Sequence, residues 1–231
     1  MVGVRTAGGG AGGARAQHCL DSATWISVTT DMAAVRDTLT FLGQCAVRFR
    51  QTGAVVPSGG PLARAMVTAI GHLEPGQVVI ELGPGTGVFT RELVQRYPDN
   101  PLVVVEFNQV FADSLRCGMP GVQVVEGCAS RLTGHLDVLD IPLANVGAVI
   151  SGLPVLSLQR GLSAAIFNAI AEVLLPGRPY IQFTYSRRAW RRFDLPGLRL
   201  ERSRAVWFNV PPAHVMTFRR LGQAAPIAVG H

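Results

Sequence analysis

The 231 residues are 48% hydrophobic, enough to fill one domain with extensions, and no run approaches the ~18 apolar residues that a membrane-spanning helix needs. Cys19, Cys45, Cys117 and Cys128 have neither metal-ligand spacing nor the pattern of a disulfide framework, so reduced thiols and no metal are expected. The net charge is +6 and the pI about 9.9, carried wholly by arginine because the chain has no lysine. Arginine makes two-pronged hydrogen bonds to phosphate, so this balance favours anionic partners, either lipid headgroups or nucleic acid.

Residues 1–24 are rich in Gly and Ala and read as a disordered leader. They lack the continuous apolar segment of a signal peptide, so a cytoplasmic location is expected. Residues 25–72 read as a helical extension. Within it, 32–50 has Val35, Leu39, Leu42, Ala46 and Phe49 on one stripe at helical spacing, with Arg36, Arg48 and Arg50 away from it. Such a helix can lie in a membrane interface or pack on its own domain. Gln51 to Gly60 is a Pro/Gly-broken loop. Ser58 either only caps the next helix, about residues 61–72, or also meets substrate at the membrane.

Residues 73–221 read as an α/β domain and 222–231 as a tail. Val78–Leu82 is an apolar run holding one acid, Glu81, and reads as a buried strand. Gly83, Gly85 and Gly87 then mark a sharp turn before a helix from Val88 to Tyr97. A dinucleotide fingerprint needs its third glycine at position 88, where this chain has Val. Strands follow at Leu102–Glu106, Val122–Glu126, Val146–Ile150 and Tyr180–Tyr185, with helices at Gln109–Cys117 and from about Gln159 to Leu174. Two further strands lie near 200–210 and 214–220. Glu106 ends an apolar strand about 20 residues after the glycine loop, where an acid accepts hydrogen bonds from ribose hydroxyls. Arg187, Arg188, Arg191 and Arg192 bracket Trp190 just past the last parallel strand. They suit a phosphate or membrane surface, with Trp190 reaching an apolar–water boundary.

The run Glu-x-Gly-x-Gly-x-Gly resembles the S-adenosyl-L-methionine loop of class I methyltransferases. That ligand has no pyrophosphate but carries an amino-acid end whose ammonium suits Glu81. The resemblance implies a Rossmann-like, seven-stranded, mostly parallel sheet with flanking helices, closed by the last two strands as a hairpin. Glu81, Gly83, Pro84, Gly85, Thr86 and Gly87 would form the cofactor loop, Glu106 would hold the ribose, and Phe107 would pack on adenine. Gly127, Cys128 and Ala129 would follow the adenine edge. Many methyltransferases have Gly-Asp-Ala there; Cys128 departs from it, so adenine would lean on backbone groups.

Over residues 39 to 221 the chain is similar to bacterial phospholipid N-methyltransferases. The matching stretches are Arg-Gln-Thr-Gly-Ala-Val-Val-Pro-Ser at 50–58, the glycine loop, Val105-Glu106, Val-Ile-Ser-Gly-Leu-Pro-Val-Leu-Ser-Leu at 149–158, and Gln-Phe-Thr-Tyr at 182–185. This implies methylation of phosphatidylethanolamine toward phosphatidylcholine by a peripheral enzyme on an anionic membrane. Tyr185 and then Ser151 are the expected catalytic groups for holding and deprotonating the amine, with Ser151 also against the cofactor. Ser58, Arg48, Arg50, Arg187, Arg188 and Trp190 are the expected substrate or membrane contacts. The related ribosomal-RNA adenine dimethyltransferases carry Asn-Leu-Pro-Tyr/Phe where this chain has Gly-Leu-Pro-Val at 152–155. A flat base would lose its clamp and its stacking platform, so no nucleic-acid partner is expected. Another amino lipid, such as ornithine lipid, is the alternative substrate.

Overall fold

The computed structural model describes residues 59–186, 190, 195–209 and 211–222. In chain order these form α1 (Gly59–Ile70), β1 (Val78–Leu82), α2 (Val88–Arg96), β2 (Leu102–Glu106), α3 (Gln109–Gly118), β3 (Gln123–Glu126), a 3₁₀ turn leading into α4 (Leu132–Val138), β4 (Val146–Ser151), α5 (Arg160–Val173), β5 (Pro179–Thr184), β6 (Leu198–Val206) and β7 (Ala213–Arg220). The strands build one seven-stranded sheet in the order β3-β2-β1-β4-β5-β7-β6. β1 to β5 are parallel, and β7 runs antiparallel to both β5 and β6.

Apolar runs become central strands here because helices cover both faces of the sheet. Alternate residues divide between the two layers. Val78, Ile80 and Leu82 of β1, with Val103 and Val105 of β2, meet Leu132 and Leu136 of α4 and Ile166, Phe167 and Ile170 of α5. Val79, Val104, Ala148 and Ile150 face the other way onto Leu62, Met66 and Ile70 of α1, Leu93 of α2 and Leu115 of α3. Each such aliphatic side chain contributes about 1.5–3 kcal/mol when fully buried.

Three differences from the sequence reading concern packing. The extension was expected to run to residue 72, yet α1 at its end packs on α2, β4, β5 and β7 as part of the core. The helix α4 had no counterpart in the sequence reading. Its seven residues include Thr133 and Gly134, poor helix formers, and burial of Leu132 and Leu136 holds it instead. Trp190 was expected at an apolar–water boundary and is buried, its ring 5.9 Å from Phe167 and 5.3 Å from Phe218. These two rings, themselves packed on Tyr180, form an apolar site for the indole that competes with any role at the surface.

Strand order reverses between β1 and β4, with β2 and β3 on one side and β5 on the other. Ligands of open parallel sheets sit at that switch point, outside the carboxyl ends of the strands. The loops after β1, β2, β3 and β4 all meet there. Gly83 N–H donates to Val105 O at 2.9 Å, Gly127 N–H to Glu106 O at 2.9 Å, and Gly152 N–H to Leu82 O at 2.8 Å, carrying the ladder past the strands into the loops.

Candidate active site

The loop after β1 turns on three glycines with positive φ, at 66° for Gly83, 54° for Gly85 and 76° for Gly87. Other residues adopt that region only at a cost. A Cβ on Gly85 would meet nothing within 4 Å, so the main chain there borders open space. Gly83 is bare for a different reason: a Cβ would run into the Leu153 side chain from the loop after β4. The reverse contact is equally tight, since a Cβ on Gly152 would lie 2.6 Å from the Gly83 carbonyl oxygen. The two loops at the switch point therefore lock together backbone to backbone.

Glu106 ties the next two loops. Its Oε2 accepts from Gly85 N–H at 3.0 Å and its Oε1 from Asn108 N–H at 2.8 Å. Asn108 in turn caps α3, its Oδ1 accepting from Val110 and Phe111 N–H at 2.9 and 3.3 Å. Each carboxylate oxygen keeps a further lone pair. Phe107, between Glu106 and the cap, is exposed at this edge. On the far side Gly127 is pressed by the His135 ring, whose Nε2 lies 3.0 Å from the Cys128 carbonyl oxygen. Cys128 Sγ lies 3.1 Å from Ser130 Oγ.

Glu81 is the electrostatic anomaly. It is fully buried on the α2 side of β1, and neither carboxylate oxygen has a hydrogen-bond partner among the described residues. The Thr90 hydroxyl is near enough to favour the carboxylate electrostatically but does not close a bond of good geometry. Burial raises the Glu81 pKa from 4.5 to about 8, with Thr90 opposing, repulsion from Glu106 adding, and Arg91 opposing. Such a group is costly unless a cation arrives.

Beyond β4 the structure departs from expectation. Ser151 was expected to face the acceptor, but it is fully buried and its Oγ accepts from Leu153 N–H at 3.2 Å. It belongs to an internal brace that sequence reasoning missed. Tyr180 Oη donates to Gln182 Oε1 at 2.8 Å, and Gln182 Nε2 donates to the Leu153 and Phe183 carbonyls at 3.0 Å each. Burial holds the Tyr180 phenol far above its ordinary pKa, with the Ser151 hydroxyl opposing, so it stays a donor. The available signal was Gln182, a buried amide inside an apolar strand. Tyr185 does stand at the open edge, 45% exposed. Its ring lies 5.6 Å from Phe183, which lies 6.0 Å from Phe89 at the start of α2. Thr184 Oγ1 accepts from Ser186 N–H at 3.0 Å and turns the chain just beyond it. Ser58, Arg48, Arg50, Arg187, Arg188 and the 32–50 helix lie outside the described residues.

The family model described as ribosomal RNA adenine dimethylase matches residues 64–126. An ornithine lipid N-methyltransferase from Singulisphaera acidiphila is 33% identical over 163 residues, 69% of this chain and 83% of that protein. The chain belongs to the class I S-adenosylmethionine-dependent methyltransferases. Among solved structures, TrmN from Thermus thermophilus matches with a TM-score of 0.58 at 20% identity, over 71% of this methyltransferase and about half, 52%, of that chain. The 1,6-didemethyltoxoflavin-N1-methyltransferase of Burkholderia thailandensis, solved with S-adenosylhomocysteine, matches with a TM-score of 0.60 at 13% identity, over 88% and 94% of the two chains.

The methyltransferase is S-adenosylmethionine-dependent and transfers to nitrogen. Its own geometry fits that cofactor. Buried Glu81, without a hydrogen-bond partner among the described residues, would suit a cationic amino-acid end, the bare backbone at Gly85 would leave room for close approach, and Glu106 would offer a further lone pair on each oxygen to a ribose. Pro84 and Thr86 complete the loop, and Phe107, Gly127, Cys128 and Ala129 would line the adenine. No helix among the described residues is long and apolar enough to cross a membrane.

Proposed function

We propose that the methyltransferase acts on the primary amine of a membrane amino-lipid headgroup, ornithine lipid or phosphatidylethanolamine. The observation that carries this reading is the lock between Gly152 and Gly83. Position 152 is where the related adenine dimethyltransferases place an asparagine clamp. Here a Cβ would lie 2.6 Å from a backbone carbonyl, so a side chain there would have to push the Gly83 main chain aside. At the stacking position, Val155 is buried in the core. A planar base loses both contacts, whereas a flexible aliphatic amine needs neither. The lipid methyltransferase also matches over more of the chain, 163 residues against the 64–126 of the ribosomal-RNA model.

S-adenosylmethionine supplies a methyl group activated by its sulfonium. The protein aligns the acceptor in line with that methyl and excludes water. The amine must be neutral to offer its lone pair. Tyr185 Oη, at the open edge beside the Phe89–Phe183 pair, accepts a hydrogen bond from the amine and passes the departing proton toward solvent. The Tyr180–Gln182–Leu153 brace keeps the wall of the pocket in place.

The test is labelled S-adenosylmethionine with the full chain and vesicles holding phosphatidylethanolamine or ornithine lipid, and separately with ribosomal RNA. Lipids are resolved by thin-layer chromatography. Label in one or both lipids is expected, and the pair tells the headgroup. Label in RNA alone overturns the reading.

A further inference from the structure

The turn between β6 and β7 carries two aromatic side chains that the fold leaves in water. Trp207 is 74% exposed and Phe208 86%, more than any other aromatic among the described residues. The turn beneath them is well braced. Asn209 is buried, its Nδ2 donates to the Pro211 carbonyl at 2.7 Å, and Val206 and Ala213 close its base inside the core. A strand pair with this anchoring presents Trp207 and Phe208 outward at a steady cost in exposed apolar surface.

The position of the turn gives that cost a purpose. β7 runs antiparallel to β5, with His214 opposite Thr184, and β6 ends opposite its start, with Val206 opposite Ala213. The tip therefore projects from the same sheet edge as the carboxyl ends of β1 to β5, on the side of Tyr185. Charge points the same way. Between residues 202 and 222 the chain has Arg202, Arg204, Arg219 and Arg220 and no acid. Arg202 and Arg204 are exposed on β6 and have no ion-pair partner among the described residues. Glu201, the acid just before them, is taken by Arg219 at 2.7 Å. At ~3.3 Å per residue Arg204 sits about 10 Å behind Trp207 along the strand. An interfacial side chain inserts about 5–10 Å into the headgroup and acyl boundary, which leaves Arg204 at the level of the phosphates.

We propose that the β6–β7 turn docks the enzyme on an anionic lipid bilayer, with Trp207 and Phe208 entering the interface and Arg202 and Arg204 meeting phosphate. This rests on the amino-lipid reading for its purpose, since it would hold the acceptor pocket against the surface that carries the acceptor. Its occupant, an anionic bilayer, is argued from paired aromatics backed by two exposed arginines with no ion-pair partner among the described residues.

The experiment uses the full chain and vesicles without any methyl acceptor, phosphatidylcholine with and without phosphatidylglycerol. Sedimentation should show binding to the anionic vesicles, about tenfold or more weaker for W207S/F208S and for the milder single variant F208Q in the same direction. R202Q/R204Q should erase the preference for phosphatidylglycerol. Thermal melting and S-adenosylhomocysteine affinity should stay at wild-type values in all variants. Wild-type vesicle binding by W207S/F208S overturns the proposal. So does a wild-type dimer, seen by sedimentation velocity, that the double variant dissolves without change in vesicle binding, because a second copy then covers the tip. Vesicle binding lost in the variant while no lipid is ever methylated leaves the docking surface standing and removes the amino-lipid reading. Amino-lipid methylation in detergent micelles alongside unchanged vesicle binding does the opposite.

Discussion

The two halves of the sheet edge are built by different means. The cofactor half, the loops after β1, β2 and β3, is made of backbone: three glycines at positive φ and one carboxylate accepting two amide N–H groups. The acceptor half, after β4, β5 and β6, is made of side chains: a buried Ser151–Tyr180–Gln182 brace inside, and Tyr185, Trp207 and Phe208 outside. A cofactor shared by many enzymes needs one backbone shape. An acceptor is selected by whatever side chains surround it. The halves join most closely where Gly152 packs against the Gly83 carbonyl.

The first way to sharpen that contrast is Tyr185→Phe, which touches only the acceptor half. Turnover should fall about a hundredfold, with S-adenosylhomocysteine affinity in calorimetry unchanged. Equal turnover would remove Tyr185 from proton handling. Next, Glu106→Ala removes the acceptor of two loop amides and of the ribose. Charge-assisted hydrogen bonds are worth about 1.5–3 kcal/mol, so cofactor affinity should drop about ten- to hundredfold. Gly152→Ala breaks the joint itself. Its Cβ would press on a main-chain carbonyl that cannot swing away, and overpacking of this kind costs about 1–3 kcal/mol. Thermal unfolding should move down by roughly 2–4 °C for each kcal/mol, and both halves should suffer.

A pH slope from Glu81 breaks the comparison in another way, through stability rather than contact. Its pKa is about 8 in the folded chain against 4.5 unexposed to the fold. Below pH 4.5 the carboxyl is neutral in both states and its burial is at full advantage. As pH rises from 4.5 to about 8 the unfolded chain ionises and the folded chain does not, so stability falls across that window. Glu81→Gln should flatten the slope. A cationic ligand end favours the carboxylate, so cofactor binding below about pH 8 should release a proton, measurable by calorimetry in buffers of different ionisation enthalpy.

The cofactor half was largely legible in the sequence because its signals are local. A buried apolar strand, a glycine turn and an acid ending the next strand lie within one short segment, and β1 and β2 keep the expected bounds, Val78–Leu82 and Leu102–Glu106. The acceptor half depends on contacts between distant segments. Nothing adjacent to Ser151 says that its hydroxyl turns inward to Leu153 N–H. Trp190 among arginines reads as a surface residue until Phe167 and Phe218 are found beside it. The helix α4 has weak local propensity and exists through Leu132 and Leu136. His135, which presses on Gly127, lies on that same helix and was missed with it. The exposed pair Trp207–Phe208 was hidden for the converse reason: an aromatic pair at a strand end reads as core until the turn places it outside.

The central claim is that one site joins the bare loop, Glu81 and Glu106 around S-adenosylmethionine. A crystal structure of the full chain with S-adenosylhomocysteine tests it most directly. The account predicts ribose hydroxyls within hydrogen-bond distance of Glu106, the amino end beside Glu81 and the sugar against Gly85. Density for the ligand elsewhere, with the Gly83–Gly87 turn closed over by side chains, would contradict it.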